Sequence, residues 1–130
     1  MSYNKQVSAL FFDTRHAGVL DCEGPLTVCK RIQLAPNQCS ELYLQCDDRG
    51  LITRAQFKAS GSPYLIAGLE WLCRTVLNTA LEVQPIFSHT RLVDELHIPK
   101  AQYAVALLVE TIYLQAIHLL KQQFLEKKHG

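Results

Sequence analysis

The stretch DDRGLITRAQFKASGSPYLIAGLEW, residues 47–71, decides how this chain folds. It opens on Asp47-Asp48-Arg49-Gly50, a composition that closes tight hairpins. From Leu51 to Ala59 the residues then alternate. Leu51, Thr53, Ala55, Phe57 and Ala59 fall on one side, and Ile52, Arg54, Gln56 and Lys58 on the other. A period of two predicts a strand with one covered face and a second face that is at least partly wet. Ser-Gly-Ser-Pro ends the alternation. Leu65, Leu69, Leu72 and Val76 follow at helical spacing, so a helix is expected from Pro63 to about Asn78. Proline suits its first turn, and Ser62 is a natural N-cap.

Two more strands precede this one. Leu26–Leu34 carries Leu26, Val28, Lys30 and Ile32 on one face. Cys39–Cys46 carries Leu42 and Leu44 on the face of Cys46, and Ala35-Pro36-Asn37-Gln38 turns between the two strands. Residues 3–12 read as a short amphipathic helix with Val7, Leu10 and Phe11 on its apolar face and Phe12 widening it. Residues 13–25 break into loop. Beyond residue 78, TRLVDEL (90–96) predicts a short helix and Ile98-Pro99 a break. A long helix follows from about Lys100 to Lys127, its terminal lysines complementing the dipole. A helix, three antiparallel strands and then helices make an α+β domain spanning residues 1–130, with the helices on one face of the sheet.

Composition narrows the function. The chain has 130 residues, 48% of them hydrophobic and 19% charged, with a formal net charge of +1. That suits a soluble globular protein and gives no electrostatic footprint for nucleic acid. The N-terminal apolar run is short and ends at Asp13 and Arg15, so the expected location is cytoplasmic. Residues 103–120 are interrupted by Glu110, Thr111, Gln115 and His118, which argues against a membrane span. Five cysteines without a CxxC pair give weak support for zinc; most are expected to be small buried residues. Whether Cys29 and Cys46 meet across the hairpin depends on register. The five histidines are scattered. No nucleophile–base pair or phosphate loop is present, so no enzyme is expected.

Several segments together resemble the IscU/NifU-type iron–sulfur cluster assembly scaffold. FFDTRHAGVLD is similar to that family's "NPRN.G" segment, with Arg15, Gly18 and Asp21 matching. DDRGLITRAQFKASG resembles "DEGIIEDARFKTYG" through Gly50, Ile52, Ala55, Phe57, Lys58 and Gly61. Ile66-Ala67 matches the next helix, DELHIPKAQ resembles "EELELPPVK", and Glu110 falls where the last helix carries an acid. The family's scaffold holds its cluster with three cysteines and an aspartate, assisted by a histidine, because soft thiolates suit iron–sulfur cores. Here those positions differ. In place of "APACGD" stands LAPNQCSE, with Pro36 at the cysteine and Gln38 at the aspartate. Ser62 stands at the second cysteine, and Ala104-Val105 replaces the His-Cys pair. A shift of a few residues makes Cys39 the thiol and Glu41 the carboxylate, so Cys39 is a candidate sulfur acceptor or metal ligand.

The resemblance therefore implies a scaffold homologue without scaffold chemistry, acting as a protein-binding or regulatory protein. An active assembly protein using Cys39, or an adaptor in another pathway, are the alternatives. Desulfurase docking in the family uses the N-terminal helix and first loop, which points to Tyr3, Val7 and Phe11. The family's chaperone reads "LPPVK"; here Pro99 remains but Lys100 replaces the second proline, which weakens that expectation. The long helix carries Leu107, Ile112, Leu114, Ile117 and Leu120, and also Tyr103, Val105, Val109 and Tyr113. These cannot all face one sheet. Either the helix is sandwiched inside its domain, or the second stripe is exposed for a homodimer or another partner, with Tyr64 and Trp71 adjoining it.

Overall fold

The computed structural model describes residues 4–129. Along the chain come α1 (Lys5–Phe12), β1 (Thr27–Ala35), β2 (Gln38–Cys46), β3 (Ile52–Ser60), α2 (Pro63–Val76), a 3-10 turn at Leu81–Val83, α3 (His89–Leu96), a second 3-10 turn at Lys100–Gln102, and α4 (Tyr103–His129). The strands form one antiparallel sheet in the order β1-β2-β3. Helix α2 packs on β3, and α4 crosses β1 and β2. The expected α+β architecture is present. The long helix begins as a 3-10 turn because Pro99 fixes extended backbone just before it.

Strand alternation holds along most of the sheet and slips at one place. Gln45 pairs with Arg54, but Cys46 pairs with Ile52, so β3 carries one extra residue there. A bulge of this kind reverses the facing of what lies beyond it. Ile52 joins the core, and Leu51 and Thr53, expected inside, lie at the surface. β1 starts one residue later than expected, because Leu26 adopts a left-handed φ of 52° and turns the chain into the sheet. Phe12, expected to widen the apolar face of α1, is 86% exposed instead; Val7 and Leu10 alone are buried on that helix.

One buried acid ties the N-terminal segment to this frame. Glu70, on α2, is wholly buried. Its Oε1 accepts from the backbone N–H of His16 at 2.9 Å, and its Oε2 meets His16 Nδ1 at 2.6 Å and Arg74 Nε at 2.7 Å. Arg74 also donates to the carbonyl of Asp13 at 2.6 Å. A carboxylate can be buried only with partners of this kind. The clamp sets residues 16–18 along the free edge of β3, where Phe57 donates to the His16 carbonyl at 2.9 Å and accepts from Gly18 N–H at 2.8 Å.

Helices α2 and α4 run past each other in the same direction. A side chain at Gly68 would meet Leu92 Cδ2 and Val109 Cγ2, each at 3.3 Å, so the helices approach closely there. One turn on, Trp71 packs tilted against Phe87, and Phe87 meets Tyr113 edge-on, both pairs with centroids 5.5 Å apart. The Tyr113 hydroxyl donates to Gln84 Oε1 and accepts from Ile86 N–H at 3.0 Å, which fixes the connection between α2 and α3. Residues 100–128 are apolar and long enough to cross a membrane by length and composition, but half of their most apolar 18-residue window is buried in the domain, as in a core helix. Val105, Val109, Ile112, Tyr113, Ile117 and Leu120 are all core residues. Val105, Val109 and Tyr113 of the second stripe therefore lie inside the fold, while Tyr103, Leu107, Leu114 and Leu125 are the large apolar residues α4 exposes among the described residues.

Two substitutions test this packing. Gly68→Val forces branched carbon into the α2–α4 crossing and should cost about 2 kcal/mol; the urea midpoint should fall with an unchanged slope. Glu70→Ala strands Arg74 and His16 and should cost about 3 kcal/mol, with faster amide exchange at Gly18 and Phe57. Unchanged exchange there would show that the edge segment does not depend on the clamp.

Candidate functional site

The positions singled out by the ligand pattern gather at one end of the sheet. Pro36 and Asn37 form a two-residue turn closed by the Ala35–Gln38 pair. Gln38 lies against Gly61 at the end of β3. Ser60 Oγ stitches the two strand ends together: it accepts from Cys39 N–H and donates to the Asn37 carbonyl, each at 3.3 Å. Ser62 follows directly as the N-cap of α2, accepting from Leu65 N–H at 3.3 Å. Val109 sits beside Gly68, so Val105, one turn earlier on α4, is level with the first turn of α2. Val105 is buried in the core, and Ala104 beside it is exposed.

Three of these residues have a structural duty here. Pro36 presets the hairpin, Ser62 caps a helix, a contribution of about 1 kcal/mol, and Val105 packs. Neither a thiol nor an imidazole stands at Pro36, Gln38, Ser62, Ala104 or Val105, so this donor set does not fit an iron–sulfur core. Among the described residues no group of three or more His, Cys, Asp or Glu side chains could hold a metal ion.

Cys39 does not make up the deficit. It alternates with Ser40, which is buried under the helices, so the Cys39 side chain lies on the opposite face of the sheet. There it lines a depression of about 220 Å³ with Arg31, Glu41, Lys58, Ala59 and Ser60. Arg31 Nε donates to Cys39 Sγ at 3.0 Å. The thiol raises the pKa of Arg31, chiefly through this hydrogen bond. Glu41 shares the face, pairing across the strands with Arg31 and Lys58. The arrangement offers one thiol in a charged surface depression, with the Ser62 end of the domain behind the sheet.

The expected partner residues divide by burial. Val7 and Tyr113 are wholly buried and cannot present themselves to a partner, because both pack into the core. Val7 forms the floor of an apolar depression of about 180 Å³ whose walls are Ser8, Phe11, Phe12 and Pro63, immediately beside the Ser62 end. Pro99, Lys100 and Tyr103 are exposed, and Phe11 and Tyr64 are half-buried. Trp71 is half-buried too, covered by Phe87 and by Arg91, whose guanidinium lies 5.1 Å above its ring. Tyr3 lies outside the described residues.

Two histidines that looked scattered prove to be paired. Glu110 repeats the Glu70 arrangement: Oε1 accepts from His89 N–H at 3.1 Å, and Oε2 meets His89 Nδ1 at 3.0 Å. The acid noted at position 110 thus anchors the first turn of α3. The cysteines also sort differently from expectation. Cys46 and Cys73 are buried, and burial pushes the Cys46 thiol up to about 11 and the Cys73 thiol well above its ordinary range. Cys22, Cys29 and Cys39 are at least partly exposed. Register settles the Cys29–Cys46 question: Cys29 opposes Tyr43 on the outer face, while Cys46 is in the core.

Comparison with known proteins agrees with this architecture. The family model described as the NifU-like N terminal domain matches residues 2–127. The solved N-terminal structure of a nitrogen-fixing NifU-like protein from Brucella abortus superposes with a TM-score of 0.69, covering 92% of this chain and 94% of that one at 16% identity. At that identity the likeness speaks for the fold. No curated protein matches the chain. With the family model spanning nearly its whole length, the chain belongs to the NifU-like N-terminal domain family.

Proposed function

We propose that this protein serves iron–sulfur cluster assembly as a protein-binding or regulatory member of its family and does not carry a cluster itself. One observation carries the reading. The end of the domain where the ligand pattern falls is closed: a two-residue turn, a helix cap and a core valine occupy the positions that would supply thiolates. Serine does not replace them, since its hydroxyl is a hard donor that stays protonated at neutral pH. The apolar depression between Phe11, Phe12 and Pro63 adjoins that end and supports a docking role, for which a cysteine desulfurase is the partner the family context favours. Phe12, almost wholly exposed, supplies the kind of anchor that interfaces bury.

A second reading rests on Cys39. The Arg31 hydrogen bond to its sulfur suits a thiol that accepts a sulfur atom as a persulfide and passes it on. The two readings separate in one experiment. After anaerobic purification and reconstitution with ferrous iron and sulfide, the wild-type chain should carry almost no iron or acid-labile sulfide. Iron and sulfide in matching amounts, lost in Cys39→Ser, would overturn the first reading. A persulfide on Cys39 after incubation with a desulfurase and cysteine, without bound iron, would favour the second.

A further inference from the structure

Helix α4 keeps one line of large apolar residues out of the core. Tyr103, Leu107, Leu114 and Leu125 are each between 42% and 54% exposed. They follow one another at four, seven and eleven residues, and at about 100° per residue all four fall within about 40° around the axis. At a rise of 1.5 Å per residue the line is about 33 Å long. The polar residues along it are already served. Thr111 turns its hydroxyl back to the Leu107 carbonyl at 2.8 Å. Lys121 falls on the same line, but its ammonium is drawn aside to the Gln84 carbonyl at 2.9 Å, so its methylenes are what it presents there. Glu110, held by His89, flanks the line on one side, and exposed His118 flanks it on the other. A depression of about 420 Å³ opens beside Leu114, walled by Pro85 and Ile86.

We propose that this line is a homodimer interface and that it is covered by α4 of a second copy, running antiparallel with the two-fold axis at Leu114. The pattern matches itself in reverse, as an isologous contact requires. With Leu114 on the axis, every residue faces the one equally far along on the other copy. Tyr103 then meets Leu125 of the second copy, and Leu107 meets the methylenes of its Lys121. Glu110 comes opposite His118 of the second copy, which gives the register a polar complement on each flank. The Leu114 side chains meet at the centre, where the depression at Pro85 and Ile86 gives each room to seat. A parallel pairing would instead set Lys121 on Lys121 and Glu110 beside Glu110, and like charges placed together disfavour it. A stripe about 33 Å by about 10 Å covers about 330 Å² per copy. Even with the depression added, that is the low end for specific interfaces, so the dimer is a reversible one. It shares no residue with the closed end or with the Phe12 depression, so it stands whether or not the Proposed function is correct.

The test is sedimentation equilibrium over a dilution series, with a phosphine reductant present to keep the exposed cysteines from cross-linking. The wild-type chain should show twice the monomer mass at high concentration and return to one chain on dilution. Leu114→Glu puts two carboxylates on the axis, and Leu125→Glu removes the contact with Tyr103; both should be monomeric throughout while keeping the wild-type thermal melt. The register is tested at His118. Placed opposite Glu110, His118→Glu should weaken the dimer about tenfold or more, a like-charge cost, and His118→Lys should retain it. Leu34→Glu on β1 and Phe12→Glu on α1, both at exposed apolar residues away from α4, should leave the dimer unchanged. A wild-type chain that is monomeric at every concentration would overturn the proposal and give the stripe to a different protein. So would a dimer that survives Leu114→Glu, or one that is lost with Leu34→Glu or Phe12→Glu. Equal dimerisation of His118→Glu and His118→Lys would overturn the antiparallel register.

Discussion

The buried carboxylate of Glu70 is the constraint on which the arrangement of this domain depends. A charged group wholly out of water must be met by donors, and the donors here come from two separate parts of the chain: Arg74 one turn along α2 and His16 from the segment after α1. Satisfying Glu70 therefore docks the N-terminal segment on β3 and holds α1 against α2. The sheet gains an additional edge partner at Phe57, and the apolar depression beside Pro63 takes its shape from α1 being held there. Asn4 extends the same tie, donating through Nδ2 to the Leu96 carbonyl at the end of α3 at 2.7 Å. Glu110 and His89 repeat the device at the far helix pair. Directional polar contacts thus set the register of segments that apolar packing would hold less specifically.

Much of the architecture was legible because local periodicity agreed with the final packing. The alternation of β3, the proline and serine at the start of α2, and the turn at Pro36-Asn37 all state their structure locally. What escaped was long-range. The bulge at Cys46 moves Ile52 into the core, and no local pattern announces an extra residue opposite a particular partner. His16 and Glu70 lie 54 residues apart, so their pairing has no signature in spacing. Periodicity left the stripe of Tyr113 either buried or exposed; α2 and α3 both pack against α4, and Phe87 meets the Tyr113 ring, which puts it in the core.

The site was legible in its positions and not in its geometry. Ser62, Gln38 and Val105 could be aligned on a ligand pattern from sequence, and the fold does bring their segments to one end. That Cys39 lies on the opposite sheet face follows from strand parity, which becomes known only when Ser40 is seen to be buried. On the function proposed for this chain, fold and chemistry have separated. The sheet, the helix order and the clamped N-terminal segment persist, while the end that would take a cluster is filled by a cap, a turn and a packed side chain.

Amide hydrogen exchange at that end tests the account most directly, measured with and without ferrous iron and sulfide under argon. The amides of Cys39, Leu65 and Ile66 are held by Ser60 Oγ and by the side chain and carbonyl of Ser62. A closed end predicts that they exchange slowly, like the neighbouring sheet, and that iron and sulfide change nothing. Fast exchange that becomes slow when iron and sulfide are added would show an open, metal-responsive site and contradict the account.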